Sequence, residues 1–352
     1  MFSPLSSSHS MAIPTRMPDR VRRVGRRRLD ELGRVLGRYL FEGTGPDQPP
    51  VWLVGDGRSG TTWVSLTVNF DERFRFLFEP CHPTQVQAFP DRRFPFYRSP
   101  DAEDPELDSF YRAVFHGGHQ HPWTDKFNQR WWYRGRLVKD IYGHLFMGWI
   151  QRRFPDVRTI LLIRNPFAVA LSKSKLSKWD WATDITHLAA PGSLDEATRT
   201  LLTEWIQRVR SPIERGILAW SLLHRVPFDE LMPGSVHVCF YEQMVTSFDT
   251  EARALLDFAR GASERHSTHA SLALQQRYED VAPVGRTSGD DGSISKRLES
   301  WRSEISQDEV RRGREILEAF GLDHLYGDAP VPVGTSSPLV ARIQAERTAP
   351  DV

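Results

Sequence analysis

The sequence predicts a three-layer α/β fold, a central and mostly parallel sheet flanked by helices, spanning residues 49–327. Two observations carry this. Short apolar runs alternate with amphipathic segments along the middle of the chain, the pattern of strands joined by crossover helices. The first of these runs, VWLV at 51–54, passes through a glycine-rich turn directly into a helical pattern. A chain of 352 residues is long enough to bury the core such a fold needs.

The elements follow in order. Residues 1–18 are rich in Ser, Pro and Met and read as a loose tail. From 19 to 41, Val21, Val24, Leu29, Leu32, Leu36 and Leu40 recur near helical spacing with arginines on the other face, so 19–48 reads as an arginine-rich amphipathic helix. It lies on the domain or against a membrane surface. VWLV (51–54), FRFLF (74–78), RLVK (136–139), RTILLIR (158–164) and VHVCFY (236–241) read as strands. Helices start at Thr61, Tyr142, Pro166, near residue 199 and at Phe248, and a last one runs from Gln307 to Phe320. Residues 328–352, rich in Pro, Gly and Ser, read as a second tail.

Composition excludes several functions. Lys+Arg 46 against Asp+Glu 45 leaves a net charge of +1, so no global field recruits nucleic acid. Two cysteines, Cys81 and Cys239, build neither a disulfide framework nor a cysteine-rich zinc site. With no long uncharged apolar stretch, the chain is expected to be cytoplasmic.

The stretch VWLVGDGRSGTTW, 51–63, carries the first chemistry. Gly55 and Gly60 with Thr61 and Thr62 behind them make the glycine frame of a P-loop, but threonine stands where its lysine belongs. A strand turning into a helix there gathers backbone N–H groups, two hydroxyls and a helix N-terminus around one point, which suits a phosphate-like anion. The missing lysine speaks against a magnesium-dependent nucleotide kinase; a non-catalytic nucleotide-binding protein is the other alternative. A second segment, TILLIRNPFAVALSKSK at 159–175, closes an apolar strand with Arg164, offers Asn165 as a helix cap and Pro166 as its first residue, and puts Ser172 two turns in.

RSGTTW (58–63) resembles the 5′-phosphosulfate loop of sulfotransferases that use 3′-phosphoadenosine 5′-phosphosulfate (PAPS), and 159–175 is similar to their 3′-phosphate strand and helix. The resemblance covers about residues 50–326. It implies that Arg58, Ser59, Gly60, Thr61, Thr62 and Trp63 hold the phosphosulfate and Arg164 and Ser172 the 3′-phosphate, with PAP as product and no metal required. FYEQM (240–244) looks like the family's Tyr-Glu segment and makes Tyr241 an adenine neighbour. TSGDDGSISKRLESWRSEIS (287–306) resembles the loop that closes over the cofactor, with Lys296, Arg297 and Arg302 as its cations.

For the base, Glu79 in FLFEPCHP ends an apolar strand and matches the glutamate of the carbohydrate and tyrosine-protein enzymes; His82, three residues on, is the alternative. The strand RLVKDIYGH departs from the Lys-Thr-His segment of phenol and steroid sulfotransferases, and its Lys139 is a candidate for facing the transferred group. The branch implied is the carbohydrate one, with a glycan, glycolipid or secondary-metabolite hydroxyl as acceptor. HGGHQH (116–121) reads as a polar loop rather than a zinc site, since its histidines lack helical spacing. WWY (131–133) and KWDW (178–181) are candidates for stacking on sugar rings.

Overall fold

In a computed structural model of the chain, residues 41–42, 48–176, 183–261, 296, 298–327, 330–334 and 337–344 are described. The strands are β1 (Phe41–Glu42), β2 (Val51–Gly55), β3 (Phe74–Phe78), β4 (Trp132–Tyr133), β5 (Gly135–Asp140), β6 (Arg158–Ile163) and β7 (Val236–Phe240). Five of them form one parallel sheet in the order β3-β5-β2-β6-β7, while β1 and β4 pair apart from it. The helices are α1 (Thr61–Val68), α2 (Pro105–His116), α3 (Met147–Arg153), α4 (Pro166–Ser174), α5 (Glu196–Arg208), α6 (Pro212–Glu230), α7 (Tyr241–Thr246), α8 (Phe248–Arg260), α9 (Gln307–Ala319) and α10 (Pro338–Ile343).

The strands are continuous apolar runs because both faces of the sheet are covered. Val51, Trp52, Leu53 and Val54 are all fully buried, and they alternate between two cores. Trp52 and Val54 join Leu107, Trp149, Phe167 and Ile217 on the face of α2, α3, α4 and α6. Val51 and Leu53 join Val64, Val68 and Leu255 on the face of α1 and α8.

The order places the site. After β2 the chain builds β3 and β5 on one side, then crosses to β6 and β7 on the other, so β2 is where the winding reverses. In an open parallel sheet the crevice beyond the carboxyl ends of the strands at such a point is where ligands bind. The glycine loop leaves β2 at that position.

Several elements differ from expectation. The helix after β5 begins at Met147, preceded by a 3₁₀ turn at His144–Phe146, because Asp140 Oδ1 takes the Tyr142 N–H at 2.8 Å and holds the strand end open. α5 starts at Glu196, where Asp195 accepts from Thr198 N. The tail expected at 328–352 contains α10, which buries Val340 and Ile343, and Gln344 Oε1 accepts from Val238 N of β7 at 2.7 Å. Phe41, the last residue of the arginine-rich segment, opens β1; the rest of that segment up to residue 40 lies outside the described residues.

Candidate active site

The loop 56–60 is shaped by left-handed backbone. Arg58 has φ 75 and Gly60 φ 88. A Cβ on Gly60 would fall 2.6 Å from Tyr241 Cδ2, so only glycine lets that ring close beneath the loop. Gly55 is constrained too, since a Cβ there would meet Thr61 Cγ2 at 2.7 Å. α1 has Gly60 as its N-cap, with no side-chain cap and no acidic residue in its first turn, leaving its first N–H groups to an external anion. The Ser59 hydroxyl is buried and has no hydrogen-bond partner among the described residues.

The two sequence motifs meet here. Arg58 Nε donates to Ser172 Oγ at 3.0 Å, and Arg164 Nη1 donates to the Arg58 carbonyl at 2.8 Å. Arg164 is the first residue past β6, and Asn165 caps α4 by accepting from Phe167 N and Ala168 N. The Arg164 guanidinium lies 4.3 Å from the Tyr241 ring centroid, and its Nε has no partner among the described residues. The Arg164 side chain is thus tied to the Arg58 backbone, and neither arginine has an ion-paired carboxylate among the described residues. Such a pair gains strongly from a bound oxyanion.

Behind the loop, the Lys173 ammonium bonds both oxygens of Asp56, at 2.6 and 2.7 Å, with the two side chains 1% and 4% exposed. The pair ties the loop to α4 beside Ser172. The ring centroids of His144 and His224 lie 5.5 Å apart in the same interior, and burial lowers both pKa values, that of His224 to about 4.

At the other side of β2, Glu79 follows β3 in left-handed backbone, φ 47. Non-glycine residues rarely sit there, and such strain gathers at functional sites. Its N–H donates to the Lys139 carbonyl at 2.8 Å, and its Oε1 is bonded by the Lys139 ammonium. Burial lowers the Lys139 pKa while Glu79 opposes that shift. His82 Nδ1 accepts from Thr84 N and Gln85 N, both at 3.3 Å, and its ring packs edge-on against Trp123 and Tyr142. Burial lowers its pKa, so it is neutral at pH 7 with its proton on Nε2.

Among the remaining candidates, Trp63 is buried and edge-on to Tyr241, which is itself 3% exposed. Thr61 is buried and Thr62 half-buried at the helix start. Lys296 and Arg302 are exposed; Arg302 lies over Trp301, which stacks on Phe167 at 4.8 Å and so leans the C-terminal segment on α4. Arg297 and the KWDW stretch lie outside the described residues. Trp131 and Trp132 are exposed. His116 lies 3.7 Å from Asp156, His119 and His121 lie near each other beside Asp125, and among the described residues no group of three or more His, Cys, Asp or Glu is placed to hold a metal ion. A cavity of about 420 Å³ opens at the end of α4, lined by Lys173, Asp184 and Arg215, and another of about 340 Å³ lies between Asn165, Trp301 and Tyr326. Neither is lined by residues 56–60 of the loop.

Glu242 is a residue the sequence reading passed over, although it adjoins Tyr241. Fully enclosed, it takes the Asn165 N–H at 2.9 Å and the Tyr326 hydroxyl at 3.0 Å, bracing the start of α4. Desolvation pushes its pKa from 4.5 up to about 7 despite those bonds. Below about 4.5 it is neutral folded or unfolded; between 4.5 and 7 only the unfolded chain ionises, so stability is lost as pH rises. Denaturant unfolding of wild type and Glu242→Gln at pH 5 and 8 should show wild type losing on the order of 3 kcal/mol relative to the variant over that span. A difference independent of pH would contradict the burial cost.

Arg58 beyond β2 and Arg164 beyond β6, with Glu79 beyond β3 two strands from β2, place cations and a carboxylate along the same strand ends, which suits an anionic ligand. The comparisons narrow this. The model of the sulfotransferase family matches residues 49–262, and the chain belongs to that family. A search of the curated proteins finds no match. Similar solved structures include the sulfotransferase domain from the curacin biosynthetic pathway, at 13% identity, TM-score 0.40, covering 77% of this chain and 98% of that one. The sulfotransferase domain of the Synechococcus PCC 7002 olefin synthase is similar at 13% identity and TM-score 0.38, with coverage of 78% and 97%. Sulfotransferase STF9 from Mycobacterium avium is similar at 15% identity and TM-score 0.41, with coverage of 82% and 79%.

Proposed function

We propose that the chain transfers the sulfuryl group of PAPS to an acceptor hydroxyl of carbohydrate type, with Glu79 as the base and without a metal ion. The observation that carries the reading is the meeting of Arg58, Arg164 and Ser172 at the uncapped start of α1. The buried Ser59 hydroxyl and Arg164 Nε, both without partners among the described residues, fit added phosphate oxygens.

Bound there, PAPS supplies an activated sulfuryl group on a phosphate that leaves as PAP. Arg58, Thr61, Thr62 and the first N–H groups of α1 hold the 5′ oxyanion. Arg164 and Ser172 hold the 3′-phosphate, and Tyr241 braces Gly60 and Arg164 from below. Lys296, Arg297 and Arg302 belong to the segment that covers the nucleotide. Glu79 has one carboxylate oxygen on Lys139 and no hydrogen bond to the other among the described residues, so that oxygen is free to take the hydroxyl proton. Lys139 is ion-paired with the carboxylate and adds positive charge where the transferred oxygens gather. His82, whose Nδ1 already accepts two N–H groups, is the poorer base. A kinase reading needs a loop cation, and the nearest lysine along the loop's back, Lys173, is locked on Asp56.

Radiolabelled PAPS incubated with hydroxyl acceptors in EDTA tests the reading: a sulfated product and released PAP are expected, and a strict requirement for added magnesium would overturn it. Arg164→Ala should weaken PAP binding by about 2 to 5 kcal/mol, read by calorimetry, if its charge is buried against the phosphate. Unchanged affinity would show that Arg164 serves only the Arg58 carbonyl.

A further inference from the structure

One charged group beside Glu79 has no part in the scheme above. Lys126 sits on a loop fixed along β3: Phe78 N donates to the Thr124 carbonyl at 2.9 Å, Arg75 bonds both oxygens of Asp125 at 2.8 and 2.9 Å, and Asn128 bonds Phe76 N and O at 2.8 and 3.1 Å. This anchoring lays the Lys126 side chain across the strand end. Its ammonium is 3.3 Å from the Trp123 ring centroid, 3.8 Å from that of Phe78 and 5.1 Å from that of Phe127. The Lys139 ammonium is 4.4 Å from the same Phe78 ring, so two of the six lysines in the chain converge beside Glu79.

Their surroundings differ. Lys139 is matched by Glu79, and Asp140 is turned to the Tyr111 hydroxyl and the Tyr142 N–H. Lys126 makes no hydrogen bond or ion pair among the described residues; its charge rests on ring faces. Partial burial brings its pKa down to about 8, with Lys139 adding to the shift and Glu79 opposing it. His82, uncharged at neutral pH, offers no competing cation. An ammonium held over aromatic faces with much of its water removed gains more from an oxyanion than a solvated lysine does. The exposed Phe127 and half-buried Trp123 beside it provide an apolar wall.

We propose that Lys126 is a specificity-determining residue that takes a carboxylate or sulfate carried by the acceptor near the hydroxyl facing Glu79, while Trp123 and Phe127 cover the acceptor's apolar face. This rests on the reading of Glu79 as the base. The acceptor class is therefore an acidic hydroxyl compound rather than a neutral one.

The test uses the full chain with PAP and three probes: glucuronate, glucose 6-sulfate and glucose. Protection of Lys126 from trinitrophenylation, mapped by mass spectrometry, is expected from the two oxyanions and not from glucose. Lys126→Gln should weaken both oxyanions by about tenfold or more in calorimetry, the size of one charged hydrogen bond, with Lys126→Arg retaining most of the affinity. Binding of PAP should be unchanged in both variants. No protection by either oxyanion, or equal effects of Lys126→Gln on the oxyanions and glucose, overturns the proposal. Failure of PAP to bind the wild-type chain would instead refute the underlying transferase reading, and the probe comparison is then read without PAP.

Discussion

Glu79→Gln is expected to lower kcat by about 10² or more while PAP binds as before. Glutamine keeps the length and can still accept the Lys139 hydrogen bond, but it cannot take a proton. The position is strained and enclosed, φ 47 and 8% exposed, so the chain holds the carboxylate there against a backbone preference for other conformations. Removing the negative charge also leaves a 3% exposed Lys139 without its counter-ion, so part of the loss could come through stability. Glu79→Gln/Lys139→Met removes that contribution, and melting of both variants measures it. Unchanged turnover in a folded Glu79→Gln protein would refute the base.

The second large effect is expected behind the phosphate loop. Asp56→Ala or Lys173→Met alone should lower unfolding stability by about 3 to 5 kcal/mol, because each strands a buried charge. The double replacement Asp56→Leu/Lys173→Met should recover much of that loss, read by denaturant unfolding. Single losses within error of zero would show that water reaches the pair. Since Asp56 opens the loop and Lys173 neighbours Ser172, a single variant should also misalign Arg58 and Ser172 and weaken PAP binding.

Much of this was legible from residue patterns, for reasons that also explain what was not. RTILLIR and VWLV were readable as strands because burial on both faces makes them uniformly apolar. The Arg58–Ser172 contact, 114 positions apart, was not legible, because the two motifs assign Arg58 to the phosphosulfate and Ser172 to the 3′-phosphate, and only the fold shows their side chains touching. α6 was missed because it is buried on nearly every side, from Ile213 to Phe228, which leaves only a narrow polar face, although Ser211 and Pro212 form a recognisable cap. α2 was missed with a similar signal in hand, Asp104 capping Leu107 N ahead of Pro105. α10 was hidden by the Pro, Gly and Ser around Val340 and Ile343. Asp56 with Lys173, and Lys126 with the rings around it, depend on side chains brought together by the fold and carry no local pattern.

The central claim is that the loop at 56–62 and the Arg164–Ser172 segment form one site for PAPS. Thermal unfolding with PAP, PAPS or ATP, each with and without magnesium, tests it most directly, since a ligand at about 100 times its Kd adds about 2.7 kcal/mol to stability. PAP and PAPS are expected to raise Tm without magnesium. A rise with ATP and magnesium but none with PAP would contradict the account.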